Sequence, residues 1–427
     1  MGRLAQHGMG RTVPRDMSSV PDTIATAAGV LFINGQASEG TRAAIRRFGT
    51  ALGAEADLLL RWGEVVLFVE GHPAPIILSA KPTSVDMGKV AAVLHLIDEV
   101  AAGRMGRDQA ATELDAITRR PPVNVIRFAA LAAAGAVALG VIFGAVTLAT
   151  MAVIALSACC GALLRRAISH LSTNALIQPF AAALLAGVAG VIAIQLDIGV
   201  DPRLVLVCPC MVLVPGPHVL NGTIDLARSR ITIGSARLVF AGLVVLMICS
   251  GLLLGLTVGD FRLPTEGPAT VVPWYRDVVA AGIAVAAYGT FFNMPWRMLP
   301  VPVLVGMLAH GVRWLLLASG VSLAAGSLAA CLIVGLIAAP VAARLRYPFA
   351  GFAFASVVSM VPGVFLFESA AALVELTTQG ASASAQLLVS ATVNGITALI
   401  LILAMTVGLI VPKMLFENYK GGPRRLG

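Results

Sequence analysis

Two Pro-Gly pairs interrupt long apolar runs at matching places in this 427-residue sequence: Leu213-Val214-Pro215-Gly216 and, 147 residues on, Met360-Val361-Pro362-Gly363. Around the first pair, Cys208-Pro209-Cys210 leads to Pro215-Gly216-Pro217-His218, so three prolines fall within nine residues. Each proline lacks an N–H and strips the carbonyl four residues earlier of its helical donor. In hydrocarbon that carbonyl must find water, protein or a solute. Such a segment suits the lining of a polar cavity, and duplicated breaks in two hydrophobic halves point to a transporter built from internal repeats. A kinked packing helix is the plainer alternative.

The same shift sets Asn221 opposite Glu368, five positions after each glycine. Glu368 lies in Phe365-Leu366-Phe367-Glu368-Ser369-Ala370, where an ionised carboxylate facing lipid is too costly. It is therefore expected to face the bundle, protonated or paired, and is the candidate proton carrier beside Ser369; an interfacial carboxylate reaching headgroups is the alternative. Asp225 follows the first break with Arg228, Arg230 and Arg237 nearby, which suits a gate pair of Asp225 with Arg237 or a solvated loop charge. Asn174 and Gln178 lie four apart on span three, hence on one helical face, and could bind an amino acid's polar groups or join neighbouring helices. His310 and Arg313 share a face too, and Arg313 reads as an outer helix end. The candidate substrate or proton site is thus Pro215, Gly216, Asn221, Asp225, Pro362, Gly363, Glu368, Ser369, Asn174 and Gln178.

Catalytic chemistry has no such footing. No nucleophile elbow, phosphate loop, H-E-x-x-H or dinucleotide fingerprint occurs, so no catalytic residue is assigned. The six cysteines lie in apolar runs, and Cys208-Pro209-Cys210 has no partner ligands at metal spacing, so no metal or other cofactor is expected.

The elements that must carry these residues are membrane helices. The chain is 58% hydrophobic and 12% charged, with a mean hydropathy of +0.89, which fits a multi-span membrane protein in a lipid bilayer. Its net charge of +8 sits mostly between apolar segments, where it orients helices and argues against nucleic acid as a partner. Ten apolar segments of spanning length follow residue 123, at roughly 124–142, 144–164, 173–196, 203–220, 236–258, 277–293, 299–318, 321–342, 348–374 and 385–411. With both termini in the cytoplasm, nearly all loop arginines and lysines fall inside, while Asp197, Asp201, Asp260 and Glu266 fall outside. The breaks lie in spans four and nine, so the repeat unit is five spans, and an odd number inverts the second copy.

Ahead of the spans, residues 22–121 form an amphipathic, acid-bearing α+β domain. The spacing predicts helix over Thr23–Gly53 around a loop at Asn34-Gly35, a strand pair over Ala56–Glu70 turning near Gly63, and a third strand over Ala74–Ala80. Helix follows from Val85 to Arg119, with breaks available at Gly103 and Gly106. The organisation expected is a disordered 1–21, the cytoplasmic domain 22–121, repeat one over 122–260, repeat two over 261–415 and a basic tail 416–427. No signal peptide is evident, which places the chain as a multi-pass protein of the inner (cytoplasmic) membrane.

Over about residues 22–415 the chain resembles the threonine/serine exporter family. Met211 through Arg237 carries the likeness most strongly, with Leu213-Val214-Pro215-Gly216, Asn221-Gly222, Asp225, Gly234 and Arg237, and Phe291-Phe292-Asn293-Met294-Pro295 resembles the C-terminal module. The N-terminal region matches less closely, through Asn34-Gly35-Gln36, Glu39, Arg42 and Ala51-Leu52-Gly53. The resemblance implies proton-driven export of threonine and serine, powered by the proton gradient. Split members of the family are linked to dicarboxylates, so a succinate-like substrate is the alternative; a membrane-anchored regulatory or enzymatic protein acting through its N-terminal domain is another. Homo-oligomers are compatible with either.

Overall fold

The computed structural model describes residues 19–261, 263 and 272–421. The expected disordered start, Arg262, Glu266 and the basic residues Arg424 and Arg425 lie outside them. The N-terminal part opens with α1 (Val20–Ile33) and α2 (Ser38–Ala51), continues through β1 (Ala56–Arg61), β2 (Gly63–Val69) and β3 (Ile76–Ala80), and closes with α3 (Met87–Ala101) and α4 (Arg107–Arg119). Ser19 caps α1, its Oγ accepting from the Asp22 N–H at 3.2 Å, with Pro21 in the first turn where its missing N–H costs nothing. The loop after α1 turns at Gly35, whose φ of +90° favours glycine.

The three strands form an antiparallel meander in the order β1-β2-β3. Arg61 pairs with Glu64 across the two-residue turn Trp62-Gly63, and this register sends Leu58, Val65, Leu67 and Leu78 inward against the helices. The expected long final helix is divided at Gly103, where φ is +71°. Ile24, Phe32, Phe48, Val90 and Leu114 fill the core between sheet and helices.

The remaining helices are α5 (Val125–Ile142), α6 (Leu148–Leu171), α7 (Ile177–Gln195), α8 (Pro202–Met211), α9 (Gly216–Ala227), α10 (Ile231–Leu256), α11 (Trp274–Phe291), α12 (Pro300–Ala318), α13 (Leu323–Leu345), α14 (Phe349–Val357), α15 (Gly363–Gln379) and α16 (Ala385–Gly421). Among the described residues seven are long and apolar enough to cross a membrane, and nine spans result if α8 with α9 and α14 with α15 each count as one broken span. The remaining expected span, the sixth, is α11, which falls short of that measure. It carries Arg276 and Asp277 in its first turn, yet its other residues pack between α5 and α12. The last helix continues through Pro412 to Gly421, so the expected tail begins as helix.

Glycines set the close packing. Along α7 and α10, Gly251 meets the Phe180 carbonyl, Gly255 the Leu184 carbonyl and Gly187 the Leu252 carbonyl, so the two helices run parallel with backbones almost touching. In the second half α13 and α16 do the same, through Gly335 and Gly408. The first helices of the two halves, α5 and α11, run antiparallel. Val123 N–H donates to Asn293 Oδ1 at 3.0 Å, the Phe128 and Phe291 ring centroids lie 4.7 Å apart, and Gly135 faces Ala287.

Candidate functional site

Both Pro-Gly pairs end one helix and begin another. The chain bends by 57° between α8 and α9 and by 65° between α14 and α15. Pro215 cannot donate to the Met211 carbonyl, which accepts from the Val214 N–H at 3.4 Å and from the hydroxyl of Tyr288, reaching across from α11. The second break tightens instead into a short turn in which the Val361 N–H donates to Val358 O at 3.1 Å.

The two breaks cross each other. A Cβ on Gly216 would lie 1.6 Å from the Phe354 ring of α14, and one on Gly363 would lie 3.0 Å from Met211 of α8. Each glycine is thus covered by a side chain from the half-helix ahead of the other break. Gly216 has no room for a side chain at all.

A cavity lies beside each break. The first, about 500 Å³, is lined by Val212 to Pro215, Pro217 and His218 together with Arg165, Arg166, Gln178 and Tyr288. Thr83, Ser84 and Val85 of the N-terminal domain close its rim. The second, about 350 Å³, is lined by Ser359 to Pro362, Phe365, Asp277 and Arg313. Phe128 and Phe291 mark the first cavity, Ile142, Phe143 and Asp277 the second, so the two open at opposite ends of the antiparallel pair α5 and α11.

The polar residues singled out in the sequence divide between different tasks. Pro215 and Gln178 line the first cavity and Pro362 the second. Asn174 does not share a helical face with Gln178. Helix α7 starts at Ile177, with Pro179 in its first turn where the missing N–H costs nothing, and leaves Asn174 in the preceding loop, where its Oδ1 accepts from the Leu176 N–H at 3.0 Å. Glu368 is buried and paired, Arg203 Nε donating to its Oε1 at 2.6 Å, and it lines neither cavity. Ser369 donates to the Ala391 carbonyl at 2.8 Å and so joins α15 to α16.

Asn221, Asp225 and Arg237 turn toward the N-terminal domain. Asn221 Nδ2 donates to the Gly35 carbonyl at 2.9 Å, Ser38 Oγ to Asp225 Oδ2 at 2.8 Å, and Arg237 Nη2 reaches the Gln36 carbonyl at 3.5 Å. Asp225 Oδ2 and Arg237 Nε stand 3.6 Å apart, both buried, and Arg237 lies over the Phe32 ring. Glu39 pairs with Arg228 and Arg230, and Arg228 also holds Glu417 of α16. Burial works to raise the Glu39 carboxyl, but the hydrogen bond from Arg230 and the charges of Arg230, Arg228 and Arg42 prevail and hold it below its usual value. A second attachment runs through Met87, whose N–H donates to the Phe292 carbonyl at 2.8 Å and whose side chain fills the space beside Gly351.

Sequence reasoning missed several partners. Tyr288, Arg203 and Ser38 lie 77, 165 and 187 residues from the groups they bind, and local spacing carries no sign of such pairs. Asp277 is another: its Oδ2 sits 2.8 Å from Nδ1 of the fully buried His310, so His310 belongs to a hydrogen-bonded pair beside the second cavity. An acid in the first turn of an apolar helix was the available signal.

A family model for threonine/serine exporters matches residues 22–259, and a second, described as Threonine/Serine exporter, ThrE, matches residues 277–415. The chain belongs to the threonine/serine exporter family. Membership implies membrane embedding and transport of a small-molecule substrate. No solved structure matches the chain. In this exporter the first match joins the N-terminal domain and its anchor Asn221, Asp225 and Arg237 to the first break, and the second match carries the crossing partner.

Proposed function

We propose that this exporter moves threonine and serine out of the cytoplasm by alternating access through the two break cavities, coupled to proton entry. The carrying observation is that two crossed, broken helices each line a cavity and that these cavities lie at opposite ends of one helix pair. The antiparallel course of α5 and α11, with the recurring α7–α10 and α13–α16 packing, supports two inverted five-span repeats in which α11 completes the count of ten. Arg165, Arg166, Arg228, Arg230 and Arg344 on the side of the N-terminal domain support a cytoplasmic placement for that domain and both termini.

In the cycle proposed, the first cavity is the cytoplasmic chamber and the second the outward one. The N-terminal domain, seated on Asn221, Asp225 and Arg237, forms the inner gate and must shift for substrate to enter past residues 83–85. Glu368 carries the proton: while Arg203 holds it, the carboxylate is neutralised as an ion pair, and when the half-helices separate, an unpaired carboxylate in that setting takes a proton. The two states of Glu368 then follow the two states of the breaks.

A dicarboxylate substrate is the second reading, favoured by one feature: Arg165 and Arg166 line the first cavity, and no described lining residue is acidic. Efflux from proteoliposomes preloaded with labelled threonine, serine or succinate, with and without an imposed pH gradient, separates the readings. Gradient-dependent threonine and serine efflux supports the proposal. Succinate efflux alone moves the chain to the dicarboxylate branch, and no flux of any of the three refutes both.

A further inference from the structure

The first cavity contains an arginine whose donors are not used up by the protein. Arg165 comes from the last turns of α6 and is half-buried; its Nε is enclosed and has no hydrogen-bond partner, and among the described residues no carboxylate lies within ion-pair distance. Its guanidinium lies 5.4 Å from the Phe291 ring centroid and 5.9 Å from that of Phe128. Contacts at that range orient a guanidinium at modest gain and leave its in-plane N–H groups free. Its neighbour Arg166 is differently employed, with Nη2 donating to the Val123 carbonyl at 2.6 Å.

Leaving a buried donor unmade costs about 1–3 kcal/mol, more when the group is charged. A carboxylate entering the cavity would satisfy the Arg165 fork with two charge-assisted hydrogen bonds. The broken backbone on the same wall supplies the opposite polarity. Pro217 has no N–H to offer the Leu213 carbonyl, and both Leu213 and Pro217 line the cavity. The lining thus combines a cation with Leu213, whose carbonyl is freed of its helical donor, and has no acidic side chain among the described lining residues.

We propose that Arg165 is the residue that grips the substrate carboxylate in the first cavity, with the Leu213 carbonyl receiving an ammonium group when the substrate has one. The ligand class is a small carboxylate-bearing solute. This rests on the reading of the first cavity as the substrate chamber, and it names the specificity-determining group there.

The test uses purified full-length protein and equilibrium binding of labelled threonine and succinate. Unlabelled threonine, succinate and threoninamide, which keeps the ammonium and loses the carboxylate, compete. In the unsubstituted protein threonine should outcompete threoninamide by at least about tenfold, the scale of a charge-assisted pair. In Arg165→Gln that gap should close to within about threefold while threoninamide binds as before, which also reports that the cavity is intact. Arg165→Lys, which keeps charge without the planar fork, should fall between. An unchanged gap in Arg165→Gln and Arg165→Lys overturns the assignment and leaves the exporter reading standing. Succinate binding without threonine binding, lost in Arg165→Gln, supports the carboxylate subsite and overturns only the amino-acid reading. No binding of either carboxylate overturns both.

Discussion

Arg203 Nε donates to Glu368 Oε1 at 2.6 Å, tying the first turn of α8 to α15 across the crossing of the two breaks. In the proposed cycle the bond couples the protonation of Glu368 to the distance between two half-helices that move apart. Glu368→Gln should therefore retain threonine exchange between equal concentrations on both sides and lose acceleration by a pH gradient. Proteoliposome exchange and gradient-driven efflux measure the two separately. Retained gradient dependence would remove Glu368 as carrier and turn attention to the buried Asp277–His310 pair.

The crossing of the breaks leaves no space for a side chain at Gly216, where a Cβ would fall 1.6 Å from the Phe354 ring. Gly216→Ala should cost about 1–3 kcal/mol through overpacking. Thermal unfolding in detergent should show the loss, and Phe354→Leu introduced beside it should recover part. Equal destabilisation with and without Phe354→Leu would mean that the glycine serves the backbone turn instead.

Asp225 holds the N-terminal domain through Ser38 and balances the buried Arg237. Asp225→Ala strands that arginine and should cost about 3–5 kcal/mol, whereas Ser38→Ala removes one hydrogen bond and should cost about 1 kcal/mol. Limited proteolysis of the α1–α2 loop should be faster in both variants, more so in Asp225→Ala. Protection equal to that of the unsubstituted protein would detach the domain's seating from this pair.

Within the N-terminal domain, Asp57 accepts paired hydrogen bonds from Arg42 and from Arg46, and the Arg42 bonds hold its carboxyl well below the ordinary value of 3.8. A depressed carboxylate stabilises the fold above its unfolded pKa and loses that contribution as pH falls toward its folded one. Asp57→Asn should therefore be less stable near pH 7 by no more than about 1 kcal/mol, since the pair is over a third exposed, and the gap should narrow below about pH 4. Amide exchange in β1 across that range reads the difference. A gap that widens in acid would contradict the sign.

Local pattern made much of this architecture legible. Alternation placed the three strands, Gly35 and Gly63 placed two turns, and the doubled Pro-Gly pairs located both helix breaks. What failed depended on pairing at long range or on helix starts. Asn174 left its assumed face because α7 begins only at Ile177, while Asn221, read as a polar group near the first break, and Asp225, read as a gate pair or loop charge, bond to the N-terminal domain. Their signature spacing was visible; that Gly35 and Ser38 complete it was not, because nothing local in the sequence links positions almost two hundred residues apart.

In the proposed cycle the two break cavities are the two ends of one path, open in turn. Single cysteines at Gln178 in the first and Phe365 in the second, in a background with the six native cysteines replaced, can be labelled in proteoliposomes by a membrane-impermeant thiol reagent applied to either face. Gln178→Cys should react only from the face bearing the N-terminal domain and Phe365→Cys only from the other, with threonine and a pH gradient raising one rate as the other falls. Reaction of both positions from the same face, or rates that ignore substrate and gradient alike, would contradict it.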